Sequence, residues 1–301
     1  LASAFLLAGD AKAAEPHARR AIELYQQIFD GDRTNHRVAL ELSESVVNLG
    51  LVLGSIGDKD AAESNYERAN ALLLEFPTGE SESQHVDVTR GQLAVNWGNL
   101  VARTGRPEDA IAIFDGAEAG VERVLKLEPN AATARETSLL LHASRAQVEG
   151  GLARHEAAIA DWRKVVELAA PGKQLEFELV LALELAAAGK CSEAVKVAEA
   201  AASRLDDMSK GVDLYNIACV YGRCLNAMGG LADTSEDLDA RVTAYRQRAL
   251  YWLSECRRKG FLNDPINRSA ALADTDLAAL QVLDEFKELL TEKSVPSSRS
   301  K

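Results

Sequence analysis

Apolar positions along this chain recur at helical spacing and are punctuated at fixed intervals by glycine. After Asn48 come Leu49, Gly50 and Leu53, Gly57 and Asp58 close the segment, and Ala62, Tyr66 and Ala69 mark one face of the next. The series returns 48 residues later without a gap, as Asn96, Trp97, Gly98, Val101, Gly105, Ala110, Phe114 and Ala117. The turn position recurs as Gly9, Gly57, Gly105 and Ala153 at that same 48-residue spacing, then as Gly189 after 36, and an alanine follows five residues on at Ala14, Ala62, Ala110, Ala158 and Ala194. Apolar spacing of three and four predicts helices. Self-similarity at a fixed period predicts tandem helix pairs, each burying its apolar face on its neighbours. The reading is all-α: an α-α superhelix of about six antiparallel helix pairs over residues 1–260, long units to about 169 and shorter ones after.

Each recurring residue has a physical reason. Glycine at the turn takes the left-handed conformation that ends a helix without a Cβ penalty. Pro107 suits the first helical position, where its missing N–H costs nothing. Gly50 and Gly98, inside helices, cost about 1 kcal/mol each relative to alanine, so a close approach must offset them, and Tyr66 and Phe114 are the side chains placed to fill the gap. Joints between units are expected at Asp30 to His36, Pro77 to His85 and Glu128 to Thr133, which are rich in Pro, Asp, Ser and Thr. Beyond the sixth unit, Leu277, Leu280, Leu283, Phe286, Leu289 and Leu290 fall at helical spacing and predict a helix over Thr275 to Thr291 within a capping segment 261–292. Residues 293–301, short and polar, read as a disordered tail.

This constellation resembles the tetratricopeptide repeat, with its first-helix Leu or aromatic followed by Gly, its turn glycine, and its second-helix Ala, aromatic, Ala. The likeness runs from Leu1 and Ala2 through Ala21, across the second and third units, then through Trp162 and Val165. It continues in the fifth unit at Leu181, Ala182, Leu185, Ala198 and Ala201 and in the sixth from Tyr215, Asn216, Ile217 and Ala218 to Tyr221. In the second half Arg154, His155, Glu156 and Ala157, then Tyr215 to Tyr221, Gly260, Phe261, Asp264, Pro265, Asp274, Asp276 and Phe286 come in an order similar to the C-terminal repeat region of planctomycete-type bacterial serine/threonine protein kinases. That resemblance implies a kinase-like parent whose catalytic domain precedes the repeats. The acidic insertion at Gly229 to Asp239 departs from the pattern, as does the lack of a proline before the final aromatic. A chain that begins at Leu1, partway through a predicted helix, is expected to be cut from something longer.

Composition narrows the function. Among 301 residues, 47% are hydrophobic but only 5% aromatic, which suits helices packed through small side chains. The formal charge of −12 opposes a phosphate backbone or an anionic lipid surface, so neither nucleic acid nor membrane is an expected partner. The densest basic run, Arg257, Arg258 and Lys259, lies at a helix end, where cations offset the macrodipole and cap carbonyls. Cys191, Cys219, Cys224 and Cys256 form no CxxC pair and read as buried or free thiols in a reducing compartment, the cytoplasm. No uninterrupted apolar run reaches the ~20 residues that a bilayer span needs.

No catalytic constellation is visible. A kinase domain would need a glycine-rich phosphate loop, an HRD-type loop and a DFG step. Phe114, Asp115 and Gly116 carry the last set in the wrong order, on a helix where Phe114 is the packing aromatic. His17, His36, His85, His142 and His155 are scattered without metal-ligand spacing. No catalytic, cofactor or metal site is therefore expected, and the chain reads as a non-catalytic interaction module. In such an array the first helices line the concave face, so residues at one register form a ladder. Asn48, Asn96 and Asn216 share a register, and asparagine both donates and accepts, as the backbone of an extended peptide requires. Resemblance to peptide-binding repeats adds Asn99 and Arg103 to the groove. Arg103 and Arg223 are the best candidates to meet a carboxylate, but the several lysines and arginines of a carboxylate clamp are lacking, so a strong clamp is not expected. The partner expected is a protein or extended peptide, held in the concave groove. A structural spacer or self-associating module, with homo-oligomers possible, is the alternative.

Overall fold

The computed structural model describes residues 9–76, 82–205, 210–229 and 236–291. The start of the first helix pair at Leu1 and Ala2, residues 77–81 of the second joint, 230–235 of the acidic insertion and the tail from 293 lie outside them. Every regular element among the described residues is helical, with no strand, as the periodicity requires. The chain divides into two compact units, Leu1–Ala153 and Arg154–Lys301.

The first unit runs α1 (Ala11–Gly31), α2 (His36–Ile56), α3 (Lys59–Leu74), α4 (Glu82–Arg103), α5 (Pro107–Leu127) and α6 (Ala132–Gly151). α2 packs on α3 and α4 on α5 as antiparallel pairs, while α4 also leans on α2, α3 and α6. The pairs form where the spacing demands. Gly57 has φ 95° and Gly105 φ 84°, the left-handed region. Asp58 accepts the Ala61 N–H at 3.2 Å to start α3, and Pro107 occupies the first turn of α5. Ala14, Ala62 and Ala110 are fully buried. A Cβ on Gly50 would lie 2.5 Å from Cε1 of Tyr66, and one on Gly98 would strike the Phe114 ring, so both interior glycines exist to let an aromatic of the partner helix close down on the backbone. Where the repeat puts alanine at the turn, Ala153 keeps the left-handed conformation with φ 57°.

Two expectations change here. The second joint is shorter than its composition suggested, because residues 82–85 already belong to α4. The stretch His36–Ile56 is long and apolar enough by length and composition to cross a bilayer. It carries Glu41, Glu44 and Asn48 and packs on α1, α3 and α4, which identifies it as a core helix of its unit.

The second unit runs α7 (His155–Leu168), α8 (Pro171–Ala187), α9 (Cys191–Ala202), α10 (Gly211–Gly229) and α11 (Glu236–Arg258), followed by short elements to residue 291. α8 pairs with α9 and α10 with α11, and α10 also packs on α8 and α9. Ala158, Ala194, Ala198 and Ala201 are fully buried, as are Ile217 and Ala218. The expected single capping helix is broken. A 3-10 turn (Phe261–Asn263), α12 (Pro265–Ala273), a second 3-10 turn (Thr275–Leu277), α13 (Ala278–Gln281) and α14 (Asp284–Thr291) replace it. Its apolar spacing is still used, with Leu277, Leu280, Phe286 and Leu290 buried. Arg257 reaches the Leu289 carbonyl of α14, so part of the basic run does cap carbonyls, but those of a different helix.

Candidate functional site

The register places Asn48 on α2 and Asn96 on α4, both half-buried, with no hydrogen-bond partner among the described residues. The same register continues to Ser144 on α6, and there Asn99 donates from Nδ2 to Ser144 Oγ at 3.0 Å. Asn99 is thus spent on holding neighbouring first helices together. Arg103 is exposed at the end of α4; burial pushes the Tyr66 hydroxyl up to about 12, with the Arg103 charge opposing, so Arg103 lies close to the α3–α4 contact. Asn216 is half-buried on α10 in the second unit. Arg223 ion-pairs with Asp276, Nε to Oδ1 at 2.6 Å, and donates from Nη1 to the Leu183 carbonyl at 3.0 Å. Its charge is matched inside its own unit.

A polar cluster that sequence spacing did not reveal surrounds that ion pair. Cys219, Asp274 and Asp276 each bring one ligand-type atom within 4.8 Å of the others. The Tyr215 hydroxyl donates to Asp274 Oδ2 at 2.6 Å, so the two carboxylates already answer to a phenol and a guanidinium. Burial and the two aspartates push the Cys219 thiol well above its ordinary range, the reverse of the thiolate that a metal needs. Asn226 adds bonds to the carbonyls of Thr275 and Asp276 and accepts the Ala279 N–H. The cluster is a clasp that fastens the capping segment to α10. The bonds that join α10 to the capping segment span 49 to 59 positions, and although Tyr215, Cys219, Arg223, Asp274 and Asp276 each stood out in the sequence, nothing in its spacing brought them together.

The other singled-out residues resolve structurally. Phe114 is fully buried, and Asp115 pairs with Arg145 at 2.6 Å. His85 meets Glu44 at 2.8 Å and His155 meets Glu184 at 2.7 Å. All four cysteines are buried and free.

Between α3 and α5, floored by α4, lies a cleft of about 370 Å³. Leu74, Leu93, Trp97 and Ile113 give it apolar walls, and Arg90 and Asn70 give it polar ones. It is on the second-helix side of the first unit, away from the asparagine register, and sequence reading by motif had no signal for it.

These features converge on one repeat type, the α2–α3 pair with its Gly50–Tyr66 contact and left-handed Gly57. Residues 43–72 match the family model of the tetratricopeptide repeat. That match covers the pair in which turn glycine, interior glycine and packing aromatic are all in place. No curated protein matches the chain. Among solved structures, BtubC (BKLC) from P. vanneervenii is similar in fold, with a TM-score of 0.54 at 14% identity over 83% of this chain and 90% of that one. Yeast Tom70 aligns with a TM-score of 0.46 at 15% identity, over 92% of this chain and 54% of that one. The fold shared with BtubC is all-α and built from packed helices.

Proposed function

We propose that the chain is a non-catalytic binding module that takes an extended peptide or a protein segment along the first-helix face of its tetratricopeptide repeats, within the cytoplasm. The observation that carries this reading is the pair Asn48 and Asn96, at one register on successive first helices, half-buried and without hydrogen-bond partners among the described residues. Amides so placed offer a donor and an acceptor at each repeat to a peptide backbone, which gives affinity with little demand on side-chain sequence. Arg103, exposed at the end of α4, supplies a cation beside them. Asn99 and Arg223 are occupied by Ser144 and Asp276, so the working set in the first unit is Asn48, Asn96 and Arg103.

The order of motifs from Arg154 to Phe286 supports a serine/threonine kinase-like parent for which this region recruits a substrate or regulator. The coding sequence upstream of Leu1 tests that context: a glycine-rich loop, an HRD-type loop and a DFG step there would support it, and an unrelated domain would end it. The groove is tested by selecting peptides from a displayed random library on the wild-type chain and re-measuring the winners on Asn48→Lys with Asn96→Lys. Binding should fall at least tenfold while the helical circular dichroism and melting temperature hold. Peptides that bind the double variant unchanged would remove the first-helix face from the function.

A further inference from the structure

The 48-residue register allows one interface of the array to be compared with the next, position by position. Across the furrow between α1 and α3, Arg68 donates from Nη2 to Gln26 Oε1 at 2.7 Å, a strut joining two second helices. One repeat on, the same two positions hold Gly116 on α5 and Leu74 on α3. Neither side chain can make the strut. Leu42, fully buried in the floor of the first furrow, is replaced at its register by Arg90. The second furrow consequently stands open as the cleft between α3 and α5. Leu74 is left 66% exposed at its rim, and a Cβ on Gly116 would meet no atom within 4 Å.

The polar groups of the cleft indicate what fills it. Arg90 anchors one end of its guanidinium on the Leu73 carbonyl, yet its Nε is buried without an acceptor, and so is Nε1 of Trp97. Buried donors are ordinarily paired, and leaving one unmet costs about 1–3 kcal/mol. Both side chains line the cleft and offer only donors, so a ligand that complements them brings acceptors. Arg90 makes no ion pair among the described residues, and a carboxylate is the acceptor that a guanidinium holds with charge-assisted bonds. Positions 90 and 97 are about 10 Å apart along α4, the span of about three residues of extended chain.

We propose that this cleft is a second docking site, on the second-helix side, for an extended peptide carrying an aliphatic side chain two residues from an Asp or Glu. The aliphatic group seats on Leu74, Leu93 and Ile113, the carboxylate pairs with Arg90, and a backbone carbonyl accepts the Trp97 indole N–H. The site is independent of the asparagine register.

The experiment titrates chain labelled with ¹⁵N-tryptophan with a blocked eight-residue peptide that has a leucine two residues from a glutamate. Trp97→Phe assigns the Trp97 indole resonance against those of Trp162 and Trp252. Saturable movement of the Trp97 signal is expected, with the other two still. Changing the peptide's glutamate to glutamine should weaken binding about tenfold, and Arg90→Gln should abolish that tenfold difference. A Cβ at position 116 meets no atom within 4 Å, so Gly116→Leu directs its side chain toward the cleft and removes a helix-interior glycine; it should keep or raise the melting temperature while weakening binding at least tenfold. Asn48→Lys should leave this titration unchanged, which separates the cleft from the first-helix groove. No shift at millimolar peptide, or Gly116→Leu binding as wild type does, would overturn the proposal.

Discussion

Single residues set the backbone of this array, and two of them give opposite predictions from the same chemistry. Ala153 holds φ 57° at a position where the other repeats use glycine, and a Cβ in the left-handed region costs about 1–2 kcal/mol. Ala153→Gly should therefore stabilise the chain by about 1 kcal/mol, read as a higher denaturation midpoint at constant slope. Gly98 has an ordinary helical backbone, but the Phe114 ring occupies the space of its missing Cβ. Gly98→Ala gains helix propensity of about 1 kcal/mol and loses more than that by forcing Phe114 aside, for which overpacking costs about 1–3 kcal/mol. A net rise in stability for Gly98→Ala would show that the aromatic is not seated as described. The turn glycines were legible in sequence because φ > 0 selects glycine so strongly. The fate of Asn99 was not, since a half-buried amide looks the same in sequence whether it faces a ligand or Ser144.

At the scale of helices, the pairs were legible because a 48-residue register leaves few ways to fold, and the alanine five residues after each turn marked the tightest contact. Ala110 is fully buried there, so Ala110→Leu should cost about 1–3 kcal/mol by overpacking, measured as a lowered melting temperature; equality with wild type would show the helices are not in close contact. What the pattern could not show was where a register position changes chemistry between repeats. Gln26 and Arg68 become Leu74 and Gly116 through ordinary surface substitutions, and only coordinates reveal that a strut has turned into a cleft. The cap was legible as apolar spacing but not as a broken chain, because Asp264, Asp274 and Pro265 start new short elements. The link of α9 to α11 adds a pH dependence. Burial pushes the Glu199 carboxyl up, but bonds from Arg248 at 2.6 and 3.1 Å and from the Tyr221 hydroxyl outweigh it, leaving it below its ordinary value. A depressed carboxyl contributes stability that is present at neutral pH and lost as pH falls from the ordinary carboxylate value through the lowered one. Glu199→Gln should lower the denaturation midpoint at pH 7, with the difference from wild type shrinking between about pH 5 and pH 3. A gap that stays constant across that range would mean the ion pair contributes nothing to folding.

For the whole molecule, a repeat chain stores its stability in nearest-neighbour contacts, so damage at one end should fade with distance along the array. The second unit offers a clean place to test this, because its last layer is identifiable. Phe286 on α14 is fully buried, α14 packs on α11, and α13 and the preceding turn pack on α10. Phe286→Ala removes a large core side chain at a cost of about 3–5 kcal/mol. In a globular core that loss would be shared by every helix. In a stacked array it falls first on α10 and α11, which lose their cover, and less on α8 and α9, which keep each other. Native-state hydrogen exchange should then show amide protection in α10 and α11 reduced by two orders of magnitude or more, since 1.4 kcal/mol corresponds to about tenfold, with α8 and α9 changed far less and α2 to α5 unchanged. Equal loss across all these helices would mean that the chain unfolds as one cooperative body, and the nearest-neighbour account of its repeats would fail.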